Sequence, residues 1–271
     1  MTIKVKPLGI IGRFNGVDIL QTRHYIKVSN QTYLQKILLD KTIHTDASHN
    51  LPLPMSEDSK YNRSLEEATP LTTEGLTKVE KEYGFTYRQG VGELIYAMVT
   101  CRQDISFPII KLSQYSVKPA QEHFQTIQDI YNYIRRTIND GLIYSRSTLR
   151  MDLPIGDIPM CKHTNNYVAE TREQIEASNV RATVDSDYAG DTMHRRSVTS
   201  IIVMLAGACV YYKTRFQATV SLSSTEAEFI AACEAAKVIL YIRSILKDLG
   251  VPQDKATTLY EDNEGARLMA N

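Results

Sequence analysis

The last third of the chain carries the pattern that most limits its fold. Ala182 to Tyr188 reads as a strand. Val198 to Ala206 and Ala208 to Lys213 read as two more, joined at Gly207 as an antiparallel meander. Ser223 to Leu249 has the length and apolar spacing of one long helix, stopped by Gly250 with Pro252 beyond. Thr257 to Glu261 is a fourth strand, and Glu264 to Ala270 opens another helix. Three strands, a helix, a strand and a helix make an α/β arrangement.

Three acidic residues fall at the edges of these elements. Asp185 lies in Val184-Asp185-Ser186-Asp187-Tyr188, Glu228 in Ser223-Ser224-Thr225-Glu226-Ala227-Glu228, and Asp262 in Leu259-Tyr260-Glu261-Asp262-Asn263. Ser223 and Glu226 form the Ser-x-x-Glu signature of a helix start, which gives Glu226 a structural task. Glu228, two residues on, points to a different face. If the first and fourth strands are neighbours, Asp185 and Asp262 can meet Glu228 on the covering helix. Such a cluster is costly to assemble unless cations neutralise it, and Mg²⁺ held by few carboxylates and several waters suits it. Two ions about 4 Å apart activate a water and stabilise a leaving oxygen in phosphodiester chemistry. Each motif also has a plain structural reading, as a solvated turn, an exposed helix face or an N-cap.

Upstream, residues 8 to 28 read as a hairpin, and Asn30 caps a short helix from Gln31 to Asp40. Residues 41 to 75 are polar and contain Pro52, Pro54 and Pro70, which reads as a connector. From Tyr87 to Asp140 the pattern is helical, in three helices, with Pro108 in the first turn of the second. Leu142-Ile143-Tyr144 is a short strand, and 146 to 180 loses periodicity as a linker or insert. The segments are therefore 1–75, 76–145, 146–180 and 181–271.

The 271 residues carry 31 basic and 31 acidic side chains, so any nucleic-acid face must be local. Arg195, Arg196, Lys213 and Arg215 around the strand turns are the candidates for phosphate contact. Cys101, Cys161, Cys209 and Cys233 form no C-x-x-C and read as reduced thiols of an intracellular protein. No apolar run reaches the roughly 18 residues of a membrane span. There is no P-loop and no H-E-x-x-H, and Gly90-Val91-Gly92 lies in a helical pattern without the third glycine of a dinucleotide loop.

Val184 to Asp191, Arg195 to Ser200, Ser221 to Phe229 and Leu259 to Asn263 resemble the ribonuclease H domain of Ty1/copia-type retrotransposon polyproteins. Tyr87 to Tyr96, Asp104 to Phe107 and Leu112 to Tyr115 resemble the segment that joins reverse transcriptase to ribonuclease H in that family. Phe14 to Ile19 and Tyr33 to Leu38 resemble the end of the polymerase palm and the thumb. The resemblance implies a ribonuclease H-like mixed sheet, truncated at its C-terminus and preceded by a mainly helical thumb and connection region. It places the catalytic and metal-binding acids on Asp185, Glu228 and Asp262, with Asp187 as the alternative to Asp185. It implies Mg²⁺ (two ions, with Mn²⁺ as a substitute), an RNA–DNA hybrid substrate, the rest of the polyprotein as partner, no membrane, and a cytoplasmic particle or the nucleus as location. Tyr188, Tyr212 and Tyr241 stand where family members often carry Trp, so aromatic packing is expected to be kept. The polymerase Tyr-x-Asp-Asp signature is absent, and the family's fourth acid lies beyond residue 271. A catalytically inactive copy that only binds nucleic acid is the alternative reading, and a retroviral-type integrase core is a third.

Overall fold

The computed structural model describes residues 11–22, 25–39, 41, 52–56, 58–145, 179–190 and 195–270. These divide into two compact units. The first takes 11–22 and 26–142, and the second takes Tyr25, 143–145 and 179–270. Most of the 146–180 segment, Cys161 and Asp191 lie outside the described residues.

The first unit opens with β1 (Arg13–Phe14), β2 (Val17–Gln21) and β3 (Tyr25–Ser29). Asn15 and Gly16, with φ of 50° and 80°, form the two-residue turn between β1 and β2. The single hairpin expected over 8 to 28 is thus two successive antiparallel pairings. β4 (Leu142–Ser145) comes last in the strand order β1-β2-β3-β4, with its residues 143–145 grouped in the second unit.

The helices are α1 (Gln31–Leu39), α2 (Ser59–Glu67), α3 (Thr73–Tyr83), α4 (Tyr87–Thr100), α5 (Ser106–Ser113) and α6 (Gln121–Arg136). α2 and the start of α3 occupy a stretch read from sequence as connector. Their caps explain why. Asp58 accepts the Lys60 N–H at 2.9 Å, and Thr72 accepts the Gly75 N–H at 3.2 Å. Pro70 lies between these helices and interrupts neither.

Leu34, Leu94, Ile105, Ile109, Leu112, Phe124, Ile127, Ile130 and Ile134 are fully buried and form this unit's core. Gly90 sits inside α4, where a Cβ would lie 2.8 Å from the Phe85 ring, so a packing contact explains that glycine. The polar groups inside are paired. The Arg102 side chain, 1% exposed, grips Asp104 at 2.7 Å and donates to the Thr137 carbonyl at 3.1 Å, tying the α4–α5 junction to the end of α6. His123 accepts the Ala120 N–H on Nδ1 at 2.9 Å, so Nε2 carries the proton and donates to the Leu65 carbonyl at 2.8 Å.

The second unit is a four-stranded sheet in the order β7-β6-β5-β8. Its strands are β5 (Arg181–Asp187), β6 (Val198–Leu205), β7 (Ala208–Phe216) and β8 (Thr258–Tyr260). β5, β6 and β7 are antiparallel neighbours, whereas β8 runs parallel to β5, so the sheet is mixed. Ala206 and Gly207, at φ of 52° and 85°, make the tight turn of the meander.

α7 (Ser224–Asp248) provides the crossover from β7 to β8, and α8 (Glu264–Met269) follows β8. Ala182 and Val184 of β5 and Ile201 and Val203 of β6 pack against Ala231, Ala235 and Ile239 of α7. Alanines every fourth residue present a smooth helix face, so the helix can lie close on the sheet. Two of the tyrosines expected to pack as aromatic substitutes are exposed, Tyr188 at 41% and Tyr241 at 64%. Among the described residues no helix is long and apolar enough to cross a membrane.

Candidate metal centre

The parallel pairing of β8 with β5 brings two distant acids together. Thr183 pairs with Tyr260, so Asp185 and Asp262, each two residues further on, leave neighbouring strands in the same direction. Glu228 lies one turn beyond the start of α7 and is 6% exposed. One carboxylate oxygen from each of Asp185, Glu228 and Asp262 lies within 4.8 Å of the other two. The three acids singled out in the sequence therefore meet at one point of the second unit. Asp187 is not part of this group.

Local structure separates these acids from their neighbours. Ser223 caps α7, accepting the Glu226 N–H at 3.1 Å, and Glu226 turns back to accept the Leu222 N–H at 2.7 Å. The Glu226 carboxylate reaches one residue before the cap rather than the cap itself, but its task is the structural one expected. At the other end of the site Asn263 is the N-cap of α8, accepting the Ala266 N–H at 3.0 Å. With Asn263 as the cap, Asp262 is left to the cluster.

The start of α7 is fixed by a residue that the sequence did not mark. Gln217, just after β7, is 4% exposed. Its amide donates to Thr199 Oγ1 at 3.0 Å and to the Ala227 carbonyl at 2.9 Å, and it accepts from Ser221 at 2.8 Å. Gln217 thereby joins β6, the loop and the first turn of α7, and so places Glu228. A buried amide two residues beyond a strand's charged end has no distinguishing sequence signal.

The electrostatics are those of crowded like charges. Burial is the largest cause that raises the Glu228 pKa, to about 7, and the charge on Glu261 is the next, with Asp185 adding to it. Ser186 lies beside Glu228 and lowers its pKa in part, yet its hydroxyl completes no hydrogen bond. Glu228 Oε2 is buried without a donor. Glu261, which carries no sequence signal of its own, is also shifted upward, by burial and by the charges of Asp262 and Asp185, against the Asn263 N–H and a hydrogen bond with Glu228 that lower it. A cleft of about 360 Å³ opens at the site between β5 and β8, lined by Thr183, Asp185, Tyr260, Glu261 and Asp262 among others.

An acceptor buried without a donor, facing other carboxylates, is costly in an apolar interior. A divalent cation supplies what the site lacks, and the all-oxygen donor set matches the hard ions Mg²⁺ and Mn²⁺. The residues therefore fit such an ion.

The basic candidates fare differently. Lys213 and Arg215 project from β7 onto Glu234 of α7, at 3.2 and 2.7 Å. These contacts lower the Glu234 pKa, with the Lys213 hydrogen bond the largest cause. Arg196 stacks over the Phe216 ring at 5.3 Å, and Arg195, exposed just ahead of β6, takes a positive φ of 57°. The pair on β7 has an intramolecular partner that sequence alone did not reveal.

Fold and site together define a mixed α/β protein with a carboxylate cluster at the parallel β5–β8 edge. Comparison with known proteins gives its kinship. The chain is 27% identical over 264 residues to the retrovirus-related Pol polyprotein from transposon TNT 1-94 of Nicotiana tabacum, across 97% of this chain and 17% of that one. It is 28% identical over 183 residues to the Pol polyprotein from transposon RE1 of Arabidopsis thaliana, across 68% of this chain and 10% of that one. It is 30% identical over 156 residues to Secreted RxLR effector protein 161 of Plasmopara viticola, across 58% of this chain and 90% of that protein. The chain thus spans under a fifth of the polyproteins it matches. No family model matches it, and no solved structure matches it. Its relatives thus include transposon Pol polyproteins of the Ty1/copia type, which supports a retrotransposon origin for the chain.

Proposed function

We propose that this chain is the C-terminal part of a copia-type reverse transcriptase/ribonuclease H, and that its second unit hydrolyses the RNA strand of an RNA–DNA hybrid. One observation carries the reading: Asp185, Glu228 and Asp262, drawn from a strand, a helix and a strand end, converge within 4.8 Å of one another. The relatives are transposon Pol polyproteins, which suits chemistry on nucleic acid.

In this reading Asp185, Glu228 and Asp262 hold Mg²⁺. The bound ions supply an activated water and neutralise charge that builds on the phosphate and the leaving oxygen. The protein's part is placement. β5 and β8 hold the two aspartates in register from the sheet, and the Gln217 network holds the start of α7 so that Glu228 reaches them. Burial of Glu228 keeps water from its inner oxygen, which strengthens its attraction for a cation. The cleft beside Asp185 and Asp262 leaves their exposed side open to a phosphodiester. Arg195, which is exposed, and Arg196, which also stacks on Phe216, are the basic side chains proposed to meet the hybrid's phosphates, with Lys213 and Arg215 held by Glu234. Contacts to 2′-hydroxyls distinguish the RNA strand. The rest of the polyprotein is the proposed physical partner.

The test is cleavage of an end-labelled RNA–DNA hybrid by the purified chain with Mg²⁺, beside the Asp185→Asn variant. Cutting by the parent and not by the variant is expected. Equal cutting by both refutes the assignment, and hybrid binding without cutting by the parent favours an inactive, nucleic-acid-binding copy.

A further inference from the structure

We propose that Glu261 is a fourth protein ligand of the cation site, holding a divalent ion together with Glu228 on the inner side of the sheet. This rests on the proposed metal-dependent reading and adds a ligand to it.

The placement follows from β8. Leu259 packs against the core cluster beneath α7, whereas Tyr260 is 42% exposed on the other side. Glu261 lies one residue past the end of β8, and the alternation of burial runs on through it: Leu259 and Glu261 are half-buried, Tyr260 and Asp262 exposed, which sets Glu261 on the side of Leu259 while it still borders the cleft. Asp262 falls on the side of Tyr260, with Asp185. Glu228 is on α7 and therefore meets Glu261 from within the protein and the two aspartates from the outer edge. Consistent with this, Glu261 perturbs Glu228 more strongly than Asp185 does.

The Glu261 carboxylate is also held in place. Its Oε1 accepts the Asn263 N–H at 3.1 Å, at the cap of α8. Its Oε2 is buried and finds no hydrogen-bond donor, and the same is true of Glu228 Oε2. Glu228 as a whole is 6% exposed. While both carboxylates are ionised neither oxygen can donate to the other, so the pair takes either a shared proton, in keeping with the raised pKa of each and a Glu228–Glu261 hydrogen bond, or a cation. A divalent ion suits the pair because Asp185 and Asp262 stand within 4.8 Å of Glu228, in a group that does not itself include Glu261. One anchored oxygen and one free oxygen give the fixed orientation a ligand needs.

The experiment is calorimetric titration of the full chain with Mn²⁺, paired with thermal unfolding with and without Mg²⁺. The parent is compared with Glu261→Gln, Glu228→Gln and, as a control, Glu226→Gln. Glu261→Gln keeps the size and the Oε1 acceptor while removing the charge. We expect it to weaken Mn²⁺ binding by at least about tenfold. We also expect its unfolding temperature to rise without metal and its Mg²⁺-induced gain to shrink. Glu226→Gln should bind Mn²⁺ as the parent does. Parental Mn²⁺ affinity in Glu261→Gln, with affinity lost in Glu228→Gln, overturns the role of Glu261 and leaves the metal-dependent reading standing. It would assign the pair a shared proton instead. Equal weakening by Glu226→Gln also overturns it, because the effect is then one of general charge. No Mn²⁺ binding by the parent removes this proposal and the reading beneath it together.

Discussion

Glu93 and Glu228 are the same residue on the same kind of element, one in each unit, and both turn inward. Glu93 on α4 is surrounded by donors. Lys41 Nζ lies 2.9 Å away, Tyr131 donates at 2.8 Å, and Gln89 donates at 2.9 Å. Glu228 on α7 has an inner oxygen with no donor, and its charged neighbours are Asp185 and Glu261. The first unit compensates the charge it buries, as Arg102 with Asp104 does again. The second unit concentrates one sign of charge and leaves it open. A compensated buried charge holds the fold together, whereas an uncompensated one marks a place for something from outside.

The largest effect tests the open site. Asp185→Asn should lower Mg²⁺-dependent hydrolysis of a labelled hybrid by at least about a hundredfold, while urea unfolding is not weakened. A fall in both together would make Asp185 a structural residue like Glu93. Next comes the compensated site. Glu93→Gln should destabilise the chain by about 2–3 kcal/mol, because Lys41 loses its partner within a mostly buried pair. Chemical denaturation measures this, and an unchanged midpoint would remove the contrast.

Glu228→Gln should shift stability the other way, by about 1–2 kcal/mol at pH 8 without metal. The direction follows from linkage. The folded Glu228 pKa, about 7, lies above its ordinary 4.5, so its favourable contribution is complete below about pH 4.5 and is lost as pH rises to about 7. The variant should therefore gain over the parent only above that range, and equal curves at pH 4 and pH 8 would contradict the crowding of charge. The smallest effect concerns the frame. Asn263→Ala should cost about 1 kcal/mol through the lost α8 cap, read as a lower unfolding temperature with Mn²⁺ affinity reduced only modestly.

Much of the second unit was legible in the sequence. The meander turned at Gly207, the long helix began at Ser223, and Asp185, Glu228 and Asp262 came together. Short-range rules suffice for those elements, because alternation, capping and a stop glycine are local. The separation of Glu226 from Glu228 was legible for the same reason. α2 was not, because Asp58 as a cap looks like any acid in a polar stretch. Glu261 was not, because it sits beside Asp262 and only the strand's alternation and the packing of Leu259 decide which face each takes. The pairing of Lys213 and Arg215 with Glu234 joins residues about twenty positions apart and depends on how α7 lies across β7.

The sequence by itself determined the order of the elements in the second unit and that Asp185, Glu228 and Asp262 stand at their edges, since both follow from periodicity and caps within a few residues. Only the tertiary structure decided what those acids face. The parallel seating of β8 beside β5 and the close approach of α7 set the distances between charges, and electrostatic energy in a dry interior depends on distance and burial rather than on position in the chain.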